Sequence, residues 1–172
     1  MAEALAPAIP DDIEQLARDV LATAGDRGLR LATAESCTGG LLASLLTDIP
    51  GLSHTFECGF VTYSDAAKIA MLGVPEALLA EHGAVSEAVA VAMAEGAVAR
   101  SDAHLAVAIT GYADNGPGPS GLVHFACACR GAPTRRREEC FGAVGRAEVR
   151  LAAMRVGLRL MCDALAKRSR AA

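Results

Sequence analysis

An α/β fold with a mixed β-sheet is what the sequence predicts, and three observations carry it. Helix-like stretches alternate with short apolar runs of strand length over the first two thirds of the chain, as in successive βα units. The last two strand-like runs follow one another directly around Gly131-Ala132-Pro133, a hairpin signature, so an antiparallel pair must join the parallel strands. Hydrophobic residues make up 52% of the chain but aromatics only 3%, so the core is built from Ala, Val, Leu and Ile, as where helices pack closely on a sheet.

Taken in order, residues 1–10 are rich in Ala and Pro and are expected to form a flexible N-terminal segment, with a single domain over residues 11–168. Pro10-Asp11-Asp12 opens a helix to about Ala24, whose Ile13, Leu16, Ala17, Val20 and Leu21 share one stripe. Arg30 to Thr33 reads as a short buried strand, followed by a turn and a helix from Leu41 to about Thr47 that Ile49-Pro50-Gly51 ends. Phe56 to Tyr63 has strand composition, and Ser64-Asp65 caps a helix over Ala66 to Leu72. Pro75 starts a short helix that Gly83 stops, and Ser86-Glu87 starts another that runs to about Arg100. Leu105 to Thr110 is an apolar strand, and the Gly and Pro of 111–120 make a loop. Gly121 to Cys129 and Thr134 to Phe141 are the hairpin strands, and Gly145 to Lys167 is a final amphipathic helix.

The 172 residues suit one domain with one substantial core, and neither an internal repeat nor a linker divides them. A net charge of -4 argues against a nucleic-acid partner held by bulk electrostatics. Arg135-Arg136-Arg137 falls in an edge region and reads as a solvated face. The six cysteines form no C-x-x-C pair and have no histidine at zinc-finger spacing, so no metal site is expected and the thiols read as reduced. No signal peptide or membrane-length apolar run is seen, and a cytoplasmic protein is expected.

Chemistry concentrates at Ala34-Glu35-Ser36-Cys37-Thr38-Gly39-Gly40, where a strand gives way to a helix. Such a turn exposes a hydroxyl beside backbone N–H groups that can hold an anion or oxyanion. Serine needs a base to become a nucleophile. His54, His82, His104 and His124 are scattered, and nothing in the sequence links any of them to Ser36. Of the two lysines, only Lys68 lies in an interior segment, among Ala66, Ala67, Ile69 and Ala70, whose apolar surroundings would lower its pKa by desolvation. Tyr63 precedes the same helix. The spacing leaves two readings open: a Ser-Lys dyad assisted by Tyr63, or a surface lysine and a strand tyrosine. Glu35 either anchors the turn through backbone N–H groups or meets substrate, Thr38 caps the helix or touches ligand, and Cys37 reads as packing.

The serine motif, together with Gly59-Phe60-Val61-Thr62-Tyr63-Ser64, Lys68, Leu72-Gly73-Val74, His82-Gly83-Ala84-Val85-Ser86 and Thr110-Gly111, resembles the CinA carboxy-terminal domain family. The likeness covers nearly the whole chain after about residue 10 and points to a stand-alone form. Some members of that family deamidate nicotinamide mononucleotide in pyridine nucleotide salvage, releasing ammonia. The resemblance implies a three-layer α/β/α sandwich with a mixed sheet, a homo-oligomer, and no cofactor or metal. It implies Ser36 as nucleophile, Lys68 as general base and Tyr63 as its hydrogen-bonding partner. It also implies Cys37, Thr38, Gly39, Gly40, Thr110 and Gly111 as substrate contacts, the substrate being a small-molecule amide or pyridine nucleotide; Arg146 and Arg150, one helical turn apart at the start of the last helix, either bind its phosphate with the helix N-terminus or stand as solvent-exposed helix charges.

Two departures stand out. Relatives follow Thr110-Gly111 with a glycine-rich loop and a Lys-Pro-Val-Gly segment, whereas this chain has Tyr112 to Ser120, shorter, without the lysine and with the carboxylate of Asp114, which would repel a phosphate unless turned away. Many relatives also carry an aspartate before the arginine at position 146, where this chain has Gly145. Two functions follow: an amidohydrolase, or a paralogue of weak or no activity that serves as a nucleotide-like ligand-binding or interaction module.

Overall fold

A computed structural model describes residues 9–114 and 116–168. The elements are α1 (Asp11–Gly25), β1 (Leu31–Glu35), α2 (Leu41–Asp48), a 3-10 turn (Ser53–Thr55), β2 (Phe56–Val61), α3 (Asp65–Leu72), α4 (Glu76–His82), α5 (Glu87–Ala99), β3 (Leu105–Gly111), β4 (Leu122–Cys129), β5 (Ala132–Cys140) and α6 (Arg146–Arg168). The expected N-terminal segment 1–10 lies, through residue 8, outside the described residues; Ile9 already packs on the core. Among the described residues no helix is long and apolar enough to cross a membrane.

The sheet order is β2-β1-β3-β4-β5. β1 is parallel to both neighbours, while β3, β4 and β5 form an antiparallel meander, so the sheet is mixed as expected. Helices cover both faces and complete an α/β/α sandwich. Strand alternation explains how two different layers fit. Leu105, Val107, Ile109, Val123, Phe125 and Cys127 point to the layer of α1, α2 and α6. Ala106, Ala108, Ala126, Ala128, Ala32 and Ala34 point to the other, so that α5, itself lined with Ala90, Ala94 and Ala97, packs on a face whose centre is built of alanine methyl groups. A chain nearly free of aromatics folds by fitting small surfaces closely.

Some element ends differ from the sequence expectation. β1 runs through Glu35 instead of stopping at Thr33, because Ala34 and Glu35 pair with strands on both sides. β5 begins at Ala132; Pro133 is tolerated because the strand is at the sheet edge. The arginine triplet lies on this edge, and Arg136 and Arg137 pair with Glu87 and Glu139. α3 begins as predicted, with Ser64 Oγ accepting the Ala67 N–H at 3.1 Å.

From β1 the chain crosses by α2 on one face to β2, then returns by α3 to α5 on the other face to β3, which lies on the opposite side of β1. The connections therefore diverge at the carboxyl end of β1. A crevice opens there in sheets of this kind, and ligands bind in it.

Candidate active site

Ser36 is the first residue after β1, at that divergence, and its N–H continues the ladder to the Ile109 carbonyl at 2.9 Å. The chain must then turn sharply into α2. Gly39 (φ 62°) and Gly40 (φ 90°) take the left-handed conformations that make the turn. A side chain at position 40 would also stand 3.1 Å from Val61 Cγ2.

Glu35 holds the turn from inside. Its buried carboxylate accepts the N–H groups of Gly40 and Leu42 at 3.1 Å each and of Ala43 at 2.8 Å. The N-terminus of α2, an open anion site in the sequence reading, is thus filled by the protein's own anion. Glu35 is the anchor of the turn. Gly39 N–H is taken by the Ser36 carbonyl at 3.0 Å. Neither Cys37 N–H nor Thr38 N–H has a main-chain acceptor among the described residues, and both lie against the Cys37 sulfur.

Lys68, in the first turn of α3, is 1% exposed, and its Nζ reaches three oxygens: Ser36 Oγ at 3.3 Å, the Thr62 carbonyl at 2.9 Å and the Tyr63 carbonyl at 3.3 Å. Burial pushes its pKa below the ordinary 10.5, against smaller opposing effects of Asp65 and Cys37. Two carbonyls and one hydroxyl around an amine are a set suited to proton exchange: the carbonyls fix two N–H bonds, and the remaining direction faces Ser36 Oγ. Burial also pushes the neighbouring Cys37 thiol up to about 11. A protonated, buried thiol packs, as expected, and does not react.

A cavity of about 240 Å3 opens over this pair. Its walls come from the ends of β1 and β2, the Ala84-Val85 stretch ahead of α5, the end of β3 with the loop after it, and the start of α6. Of the expected contacts, Cys37, Thr110, Gly111 and Arg146 line it, as do Ser36, Tyr63 and Lys68. Thr38, Gly39, Gly40 and Arg150 do not line it. Thr38 is fully buried, and Arg150 donates to its carbonyl at 2.6 Å, so these residues brace the turn from behind. The Tyr63 side chain is 68% exposed at the rim; its contact with Lys68 is made by its carbonyl, while its phenol lies beside Arg146. Thr110 Oγ1 donates to the Ala84 carbonyl at 2.8 Å and ties one wall to another.

Ala84, Val85, Tyr112 and Ala113 also line the cavity, though none of them is among the expected substrate contacts. Ala84 and Val85 belong to the His82–Ser86 motif, which carries the family resemblance with no site role attached to either residue. The Tyr112 signal lies in the glycines that follow: a Cβ at Gly116 or Gly118 would come within 2.4 Å of the Tyr112 ring, so the loop is wrapped around that ring. Tyr112 N–H donates to the Leu122 carbonyl and its own carbonyl accepts from Gly121 N–H, both at 2.9 Å, closing the loop base. The loop delivers Asp114 to Arg146 in a bidentate pair, so Asp114 is turned toward a cation at the rim. The Tyr63 phenol first, and then the Asp114 carboxylate, hold the Arg146 pKa above its ordinary value.

Residues 13–165 match the family model for the CinA C-terminal domain. A nicotinamide-nucleotide amidohydrolase, PncC, of Escherichia coli is 48% identical over 134 residues, 76% of this chain and 81% of that protein. A competence-damage inducible protein of Symbiobacterium thermophilum is 55% identical over 124 residues, 70% of this chain but only 29% of its own length. This chain therefore spans less than a third of some curated relatives it matches. The crystal structure of the competence/damage inducible protein CihA from Agrobacterium tumefaciens superimposes with a TM-score of 0.88 at 46% identity, covering 93% of this chain and 99% of that one. A match running from α1 to the end of α6, with the serine turn and Lys68 inside it, leaves one conclusion: the chain belongs to the CinA C-terminal domain family.

Proposed function

We propose that this protein hydrolyses a carboxamide to the acid and ammonia, as an amidohydrolase of the nicotinamide-nucleotide type, through Ser36 and Lys68. The observation that carries the proposal is the buried amine of Lys68, 3.3 Å from Ser36 Oγ and depressed in pKa, on one small cavity. A relative named for nicotinamide-nucleotide amide hydrolysis, aligned over three quarters of the chain, supports the reaction class.

In this mechanism the neutral Lys68 amine takes the Ser36 hydroxyl proton as Oγ attacks the amide carbon. The tetrahedral oxyanion is held by the N–H groups of Cys37 and Thr38, each such donor contributing about 3 kcal/mol. Lys68, now an ammonium braced by the Thr62 and Tyr63 carbonyls, returns its proton to the departing nitrogen, and ammonia leaves. Water, deprotonated by the same amine, then cleaves the acyl-enzyme and frees the acid and Ser36. Tyr63 serves Lys68 through its carbonyl, with its phenol at the mouth.

Ammonia release from nicotinamide mononucleotide, followed with a coupled assay, tests the proposal. Turnover by the parent protein, with a loss of roughly 1,000-fold or more in Ser36→Ala and in Lys68→Ala, is expected. Full activity in Ser36→Ala refutes it. The second function, a ligand-binding module, draws on the Asp114–Arg146 pair at the rim and is favoured if the ligand binds without ammonia release. Homo-oligomerisation belongs to the same proposal, supported by the exposed apolar side chains of Val61, Ile69, Met71 and Val144.

A further inference from the structure

The cavity of about 240 Å3 beside Ser36 is smaller than the ~300–1,000 Å3 of pockets that enclose a whole drug-sized ligand. It admits a ring bearing a carboxamide and leaves the rest of a nucleotide at the mouth. The cationic group there is Arg146, and its fork is already filled: Nε donates to Asp114 Oδ2 at 3.2 Å and Nη2 to Oδ1 at 3.0 Å. That two-pronged geometry is the one a guanidinium offers a phosphate. Nor is Asp114 on a slack tether. The main-chain bonds of Tyr112 and the packing of its ring against Gly116 and Gly118 hold the loop in place.

We propose that Asp114 is an internal competitor for the anion-binding face of Arg146 and thereby sets specificity, turning the site toward carboxamide ligands without a phosphate. The proposal rests on the carboxamide reading of the cavity. A phosphate that reaches Arg146 must displace the carboxylate and then remain beside it. In water one unit charge at about 4 Å from another changes affinity about fivefold, and the charge of a phosphate, about −1.5 to −2, raises this to about 10- to 30-fold, so Asp114 costs a phosphorylated ligand at least roughly tenfold in affinity.

The test measures binding of nicotinamide mononucleotide and of nicotinamide riboside by calorimetry in a Ser36→Ala background. Asp114→Asn is expected to raise the mononucleotide-to-riboside affinity ratio at least about tenfold at low salt, less at high salt, and adding Arg146→Gln is expected to lower that raised ratio again, because it is the freed guanidinium that then holds the phosphate. A ratio unchanged within twofold on Asp114→Asn, or one that Arg146→Gln leaves unmoved in the Asp114→Asn protein, overturns the proposal, as does failure of every form to bind either ligand. Ammonia release by the protein with Ser36 intact keeps the two readings apart. Release with an unmoved ratio sinks only the role of Asp114, and a moved ratio without release sinks only the hydrolysis.

Discussion

Replacing Lys68 by Met removes the titrating amine while keeping most of the buried aliphatic stem, and its consequences follow from one sign. Burial lowers the Lys68 pKa below 10.5 in the folded protein. Between that lowered value and 10.5 the unfolded chain holds a proton that the folded chain has released. Stability therefore rises with pH through this window, is penalised fully below it and is unaffected above it. The gain is about 1.4 kcal/mol for each tenfold loss of proton affinity on folding. Other groups titrate over the same range, but they do so in both proteins, so the difference between parent and Lys68→Met isolates Lys68. Urea unfolding at a series of pH values from 6 to 11 supplies that difference. The parent is expected to gain on the variant as pH rises and to level off by about 10.5, and kcat of the parent to rise with the same apparent pKa, because only the neutral amine accepts the Ser36 proton. Parallel stability curves, or a kinetic pKa at the ordinary lysine value, would refute the claim that this lysine is buried as a base.

Two further outcomes test the serine turn. Glu35→Gln replaces two carboxylate oxygens that accept three N–H groups, one buried and two part-buried, by a single uncharged acceptor and is expected to cost roughly 2–4 kcal/mol of stability, read by denaturant midpoint, with a larger proportional loss of ammonia release because Ser36 sits on the same turn. Cys37, raised from 9.0 to about 11, carries about 100-fold less thiolate than an ordinary cysteine, so iodoacetamide at pH 8 should label exposed Cys140 in the native protein and reach Cys37 only after unfolding, as peptide mapping would reveal.

Much of the architecture was legible because each layer leaves its own period in the sequence. Leu-Ala-Val-Ala-Ile in β3 alternates large and small residues, which announces a strand buried on both faces, and the shape difference between those faces is written in the same five letters. Ends were less legible where a side chain serves two elements. Glu35 looks like a loop residue because carboxylates are rare inside buried strands; it is strand by its backbone pairing and helix cap by its side chain, and only the folded turn brings Gly40, Leu42 and Ala43 to it.

The site shows the same limit at longer range. Ser36 and Lys68 are 32 positions apart, and no local pattern states that β2 runs parallel to β1 and returns the start of α3 to the end of β1. The resemblance supplied that contact before the topology did. Arg146 and Arg150 illustrate what neither spacing nor resemblance contained. One helical turn apart, they read alike in sequence, yet one faces the cavity mouth and the other donates to the Thr38 carbonyl beneath the serine turn. The difference arises from where α6 crosses the end of β3, a packing relation between elements far apart in the chain. A cation near the start of a helix binds a ligand only if the fold leaves its fork outward, and here the fold pairs the outward one with Asp114 and turns the inward one to the Thr38 carbonyl. Whether this pocket admits phosphate is therefore decided by the pairing of Arg146 rather than by the number of arginines near it.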